Sequence, residues 1–263
     1  MAGVLFFSLS SLALAEKYAS IIIDDLGNNI ETGYEIASLP AALTLAILPD
    51  TAWARDIARL GSRHNKEIML HLPLQSVVHS KPSPGTLGLH MTRSAFVRQL
   101  RHNLGAVPYI RGINNHMGSL LTRHPGHMGW LMEELQQHPL YFVDSKTTPR
   151  SIADRLADEY HIPNLSRDFF LDPDDSEATL QRQFKRFIAR VNSRGYALAI
   201  AHPYPKTIQF LQQHLPELAE QNIRLVPVSQ LIRKAGKSQP DNRQPEREGK
   251  TDVTCTGTTC TGL

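Results

Sequence analysis

Ile21-Ile22-Ile23-Asp24-Asp25-Leu26-Gly27 sets three branched aliphatic residues directly before two acids. A run of that kind reads as a strand buried on both faces, the sort found in a parallel sheet covered by helices. Two adjacent carboxylates behind it are costly unless they are paired, hydrogen-bonded or bound to a cation. Successive residues of a strand point to opposite sides, so inside a sheet both acids could not serve one site. The sequence therefore predicts that the strand stops at Asp24 and that Gly27 helps the chain turn away. Both carboxylates could then reach one pocket in different roles. The plainer alternative is that one acid caps the following helix and the other is solvated.

Outward from this segment, short apolar runs alternate with amphipathic stretches between Lys17 and Lys234. Strands are expected at 19–24, 43–48, 67–72, 110–114, 141–144, 162–166, 197–201 and 223–227. Thr92 is placed to cap a helix over 93–104, and Ser151 one over 152–160. Helices are also expected at 125–137 and at 176–193, with Gly195 as a stop. A last helix over 206–221 should kink or split at Pro216. Strands alternating with helices over this length predict an α/β fold, a (β/α) barrel of about seven to eight parallel strands, complete or irregular. A doubly wound open sheet is the alternative. Both put the active site at the C-terminal ends of the strands.

The chain has 263 residues, enough for one large core, and a net charge of +3 with Lys and Arg spread along it, so no nucleic-acid stripe is indicated. Val4 to Leu14 is apolar but too short to span a bilayer, and Ala13-Leu14-Ala15 resembles a cleavage site. No basic residue precedes Lys17. Residues 1–15 are read as an export signal, which puts the mature protein in the periplasm or otherwise outside the cytoplasm, with no transmembrane anchor. An apolar N-terminal strand or helix is the alternative. Residues 16–234 form the barrel domain. From 235 to 263 the composition turns polar, and this stretch is expected to be a disordered tail. It holds both cysteines, Cys255 and Cys260, which suit a short-range disulfide better than a zinc site.

Reading only the strand ends collects a consistent set: Asp24 and Asp25, His71, Asn114-Asn115-His116, Asp144, Arg167-Asp168 and His202. Other histidines, His64, His102, His127, His138 and His214, fall in or beside helical patterns and read as surface. Two imidazoles and one carboxylate are a common ligand set for hydrolytic zinc. A neighbouring carboxylate could take a proton from water, and a separate histidine could give one to a leaving group.

Five segments carry a resemblance: Ile21 to Gly27, Leu70-His71-Leu72-Pro73-Leu74-Gln75, Gly112 to Ser119, Phe142-Val143-Asp144-Ser145 and Ala201-His202-Pro203. In these the chain resembles the divergent polysaccharide deacetylase family, distant relatives of NodB-type carbohydrate esterases. The resemblance spans roughly Lys17 to Lys234. It implies a distorted barrel that binds a divalent metal, often zinc, and removes acetyl groups from a polysaccharide or cell-wall glycan. It further implies that Asp24 is the general base, that Asp25 and His71 bind metal, and that His202 is the general acid. Where the wider superfamily has a second histidine four residues after the first, this chain has Gln75. His116 is expected to supply that ligand. Asp144 is expected to assist in catalysis, Asn115 to offer a donor to the oxyanion, and Arg167 and Asp168 to contact substrate.

The expected function is an exported metal-dependent hydrolase of envelope carbohydrate. The departure at Gln75 motivates a competing reading, a non-catalytic glycan-binding or envelope-assembly factor that keeps an old cleft. A glycosidase built on Asp24 and Asp144 is a third reading, and would need carboxyls about 5–9.5 Å apart.

Overall fold

The computed structural model describes residues 16–78, 82–174 and 176–237. The expected signal segment and the cysteine-bearing tail lie outside the described residues. Among these residues there are nine strands: β1 (Lys17–Leu26), β2 (Thr44–Ile47), β3 (Glu67–Leu74), β4 (Ile110–Met117), β5 (Tyr141–Asp144), β6 (Asn164–Ser166), β7 (Phe169–Phe170), β8 (Tyr196–Ala201) and β9 (Ile223–Leu225). Between them run α1 (Ile30–Ser38), α2 (Ala54–Arg63), α3 (Arg93–Ala106), α4 (Pro125–Leu135), α5 (Ala153–Glu159), α6 (Glu177–Arg194), α7 (Pro205–His214) and α8 (Pro216–Glu220), with α9 (Val228–Lys234) last. The helix expected to fail at Pro216 is split there into α7 and α8.

All the strand pairs are parallel, in the order β6-β5-β4-β3-β2-β1-β8-β7, and β9 pairs with the first residues of β1. What decides between barrel and open sheet is the short link from β6 to β7. The Arg167 amide donates to the Asp144 carbonyl at 3.0 Å, and the Asp168 amide donates to the Leu198 carbonyl at 2.9 Å. One extended segment thus pairs with β5 on one side and β8 on the other, and the sheet curls into a distorted barrel. The two-residue β7 leaves no periodicity to read, which is why the sequence pattern missed it.

Side-chain alternation splits the core in two. Ala19, Ile21 and Ile23 of β1 pack outward against the helices, together with Leu70, Ile113, Phe96 and Phe187. Tyr18 and Ile22 point inward with Met69, Val143, Leu198 and Ile200. Leu231 and Ile232 of α9 join this inner cluster and close the barrel at its N-terminal end. The first amides of α9 are satisfied from the barrel wall, Val228 N–H by Thr44 Oγ1 at 3.2 Å and Ser229 N–H by a Glu67 carboxylate oxygen at 2.9 Å. With that end plugged, the interior opens only at the C-terminal ends of the strands.

The caps read from sequence hold where a side chain is free to bond. Thr92 Oγ1 accepts the Ala95 amide at 3.4 Å, while Ser176, expected as the first residue of its helix, caps it instead, its Oγ accepting the Thr179 amide at 3.3 Å. Gly195 ends α6 at φ 84°. Ser151 sits just before α5, where its hydroxyl donates to Asp144 at 2.6 Å and accepts the Ala153 amide at 3.3 Å.

Gly27 has φ +127°, and a Cβ there would lie 2.0 Å from Thr51 Oγ1 and 3.0 Å from Thr51 Cβ. Gly27→Ala therefore combines a forbidden backbone with overpacking. We expect it to cost about 2–4 kcal/mol, read as a Tm at least about 5 °C below wild type. A Tm unchanged to within about 2 °C would mean that the β1–α1 turn relaxes freely.

Candidate metal centre and active site

The two acids of the opening segment meet one site by a route the sequence did not suggest. β1 does not end at Asp24. It runs on to Leu26, and its pairing with β2 slips between Ile23↔Leu45 and Leu26↔Ile47. Asp24 and Asp25 together oppose the single residue Ala46, which is a β-bulge. Asp24 keeps the inward alternation of Ile22. Asp25 takes φ 57°, left-handed for a non-glycine, and this turn brings its carboxylate round to the same side. A bulge inside the strand does what the strand's end was expected to do.

Asp24 is 2% exposed and lies at the floor of the site. Its Oδ1 accepts from Asn114 Nδ2 at 2.7 Å. Asn114 Oδ1 in turn accepts from His71 Nδ1 at 2.8 Å. One amide therefore fixes both neighbours, and a His71 ring that donates through Nδ1 turns Nε2 into the site. There His71 Nε2 stands 3.1 Å from Asp25 Oδ1, 3.6 Å from Asp24 Oδ2 and 3.1 Å from His116 Nδ1. His116 Nδ1 is 2.9 Å from Asp25 Oδ1.

Burial raises the Asp24 pKa above the ordinary carboxylate range, against the opposing pull of His71 and His202. Burial also disfavours charge on Asp25, but His116 and His71 outweigh it and hold that carboxyl well below the usual range. Burial disfavours the His71 imidazolium as well, yet Asp24 and Asp25 raise its pKa to about 9. The field at the three converging atoms thus favours a positive charge.

Asp25, His71 and His116 suit a divalent ion by a test internal to the structure. Asp25 Oδ1 is buried and has no partner of hydrogen-bond geometry, although two ring nitrogens stand within 3.1 Å. The two ring nitrogens are within hydrogen-bond distance of each other, and both converge on the unpartnered Asp25 Oδ1. The separations of the three donor atoms, 2.9, 3.1 and 3.1 Å, approach the ~3.3 Å edge of a tetrahedron with bonds of about 2.0 Å. Among the described residues this is the only such group of three His, Cys, Asp or Glu side chains.

His202 comes from the end of β8. Its Nδ1 lies 2.9 Å from Asp172 Oδ1, and its amide donates to Asp172 Oδ2 at 2.7 Å. Thr207 Oγ1 donates to the same oxygen at 2.9 Å. The ring sits between Phe170 and Tyr204, with centroids 5.7 Å from each. Burial opposes charge on His202, but Asp172 chiefly, with Asp24 and Asp25, raises its pKa. Arg167 lies over the Phe170 ring, its guanidinium carbon 3.7 Å from the centroid, and donates to the carbonyls of Ser145 and Lys146 at 2.7 and 2.9 Å. It is also within electrostatic reach of Asp24.

The other expected site residues stand elsewhere. Asp144 alternates outward with Phe142, receives Ser151 Oγ at 2.6 Å and the Lys146 amide at 2.8 Å, and pairs with Lys146 Nζ at 3.2 Å. Asn115 also faces away from the cleft, donating to the Met117 carbonyl at 2.7 Å and accepting the Ser145 amide at 2.9 Å. Asp168 bonds the Leu198 amide at 3.0 Å and Arg194 at 3.2 Å on the barrel wall. Gln75 Oε1 accepts the Leu89 amide at 2.7 Å and so braces the loop ahead of α3. His127, read as surface, is 7% exposed and packs against Phe96 and Trp130.

Sequence reasoning collected Asn114 among the strand ends without giving it a role, and it missed Asp172. Asn114 carried a usable signal, since it shares the inward side of β4 with Gly112 and His116. Asp172 carried none, because the strand before it is too short to be seen.

Relatives bear on these observations. The sequence pattern of the divergent polysaccharide deacetylase family matches residues 21–232. Uncharacterized protein YibQ of Escherichia coli K12 is 34% identical over 253 residues, covering 96% of this chain and 78% of that protein. The crystal structure of uncharacterized protein ATU2773 from Agrobacterium tumefaciens C58 superimposes with a TM-score of 0.79 at 20% identity, over 83% of this chain and 90% of that one. The catalytic domain of peptidoglycan N-acetylglucosamine deacetylase from Eubacterium rectale has the same fold, with a TM-score of 0.50 at 12% identity over 81% and 88% of the two chains. The family's pattern runs from the isoleucines of β1 to the last helix that plugs the barrel, and so takes in the acid pair and both strand-end histidines beside it: the chain belongs to the divergent polysaccharide deacetylase family.

Proposed function

We propose that the protein is a metal-dependent deacetylase of an envelope polysaccharide, exported from the cytoplasm. The observation that carries this reading is the convergence of Asp25, His71 and His116 beside a buried, amide-held Asp24. Family membership supports the reaction class, and the neighbour from Eubacterium rectale is a deacetylase of peptidoglycan N-acetylglucosamine. The apolar run Val4–Leu14 supports export.

Asp25 Oδ1, His71 Nε2 and His116 Nδ1 would hold the ion. Bound there, it would supply Lewis-acid chemistry, polarising an acetyl carbonyl and acidifying an attacking water. Asp24 Oδ1 is committed to Asn114, which leaves Oδ2 to accept the proton from water. His202 Nδ1 is held by Asp172, which leaves Nε2 to protonate the leaving nitrogen or oxygen as the acyl bond breaks. Acetate and a free amine or hydroxyl result. Arg167 places a positive charge within electrostatic reach of Asp24. Gln75 braces a loop, so its presence in place of the expected second histidine takes nothing from the ligand set assembled here.

The test is acetate release from N-acetylglucosamine oligosaccharides and acetylated cell-wall glycan, removed by a chelator and restored by zinc. No release from any of these with the metal fully loaded would sink the reading.

The His202–Asp172 pair gives a signed expectation. A raised His202 pKa keeps the donor proton above the ordinary histidine value near 6.5. Asp172→Asn removes the main cause of that rise, so the alkaline limb of kcat/KM should move to lower pH. An alkaline limb that stays in place would assign the titration to another group.

A further inference from the structure

The basic residues are spread along the sequence, but the fold gathers several of them on the closed end of the barrel. Lys17 opens β1 and reaches Asn192 of α6, its Nζ 2.8 Å from Oδ1. Arg224 pairs in register beside Tyr18, and Lys234 at the end of α9 lies over the Tyr18 ring, 4.6 Å from its centroid. Arg194 stacks on Tyr196, which is the register partner of Tyr18 across β1 and β8. Arg190 lies one turn earlier on the exposed side of α6, and Arg233 is exposed beside Lys234. These six cations therefore occupy one continuous surface. The acids beside these cations are Glu16 and Asp168, while Glu67, Glu159 and Glu220 stand elsewhere on the same end of the barrel. Glu16 bonds Tyr18 and feels Lys234 and Arg224, and Asp168 pairs with Arg194. Among the described residues Lys17, Arg190, Arg224, Arg233 and Lys234 have no carboxylate within ion-pair distance.

We propose that this N-terminal face of the barrel docks on an anionic phospholipid surface. Charge complementarity argues for an anionic partner. One further feature argues for a bilayer over a soluble polyanion. Tyr109, directly before β4 on the same end, is 58% exposed, and exposed tyrosines suit the headgroup zone. Docked this way, the barrel turns its open C-terminal end, with Asp24 and Asp25, away from the lipid and toward any glycan layer. The inference does not depend on the deacetylase reading, because its readout is binding.

The experiment is co-sedimentation of the full chain with phosphatidylcholine vesicles, with and without phosphatidylglycerol, at low and high salt. Binding should require phosphatidylglycerol and weaken with salt. The triple variant Arg190→Glu, Arg224→Glu, Lys234→Glu should bind about 100-fold more weakly. The corresponding Gln variant provides the same reading should the reversals perturb folding, as followed by circular dichroism. The control Arg123→Glu, Arg150→Glu, in the short segments that follow β4 and β5 at the open end, should bind like wild type. Equal binding to neutral vesicles, an unaffected triple variant, or capture by heparin with no vesicle binding would each overturn the proposal.

Discussion

Protein loaded with zinc and then desalted should retain about one equivalent per chain, and Asp25→Ala, His71→Ala and His116→Ala should each lower the affinity at least about 100-fold. The expectation rests on geometry. Three donor atoms stand 2.9 to 3.1 Å from one another with no hydrogen-bond pairing at Asp25 Oδ1, so each removal leaves two ligands. Asn114→Ala should have a smaller effect, about 10–100-fold, since it frees the His71 ring to turn without removing a ligand. Gln75→Ala separates this arrangement from the usual one with two histidines four residues apart. It should leave zinc content at wild-type level and lower Tm, because the Leu89 amide loses its acceptor. Zinc retained by all three alanine variants, or lost as fully in Gln75→Ala as in His71→Ala, would refute the assigned ligand set.

The fold was readable in proportion to how strongly each element repeats. Three isoleucines in β1, the apolar positions of α6 ending at Gly195, and the interruption at Pro216 each state a local preference that packing then confirmed. Barrel closure was not readable. It depends on two backbone bonds from Arg167 and Asp168, and main-chain hydrogen bonds leave no mark in the residue alphabet. The site divides in the same way. Residues chosen for their chemistry at strand ends, namely Asp24, Asp25, His71, His116 and His202, lie around one opening. Asp144, Asn115 and Asp168 were chosen on the same ground but face away, since a strand's last residues still alternate and strand position alone does not say which side they take. The inward parity that placed Asp24 on β1 and His116 on β4 would have selected Asn114 over Asn115.

Asp24→Asn should lower kcat for deacetylation about 10²–10⁴-fold while zinc content and Tm stay near wild type. The substitution keeps shape, and its carbonyl oxygen can still accept from Asn114 Nδ2, so the floor of the site should hold. What disappears is a carboxylate that can receive a proton at Oδ2. No other carboxylate can replace it. Asp25 Oδ1 faces the two imidazoles, Asp172 is saturated by His202 and Thr207, and Asp144 is engaged by Ser151 and Lys146 on the outer side of the sheet. The same assay separates the possible roles of Asp24. Loss of zinc together with activity would make it a ligand, and a fall in kcat below about 10-fold would move the proton acceptor elsewhere. Only loss of turnover with zinc retained fits two adjacent acids, turned to one side by a bulge, that divide the work between metal and proton.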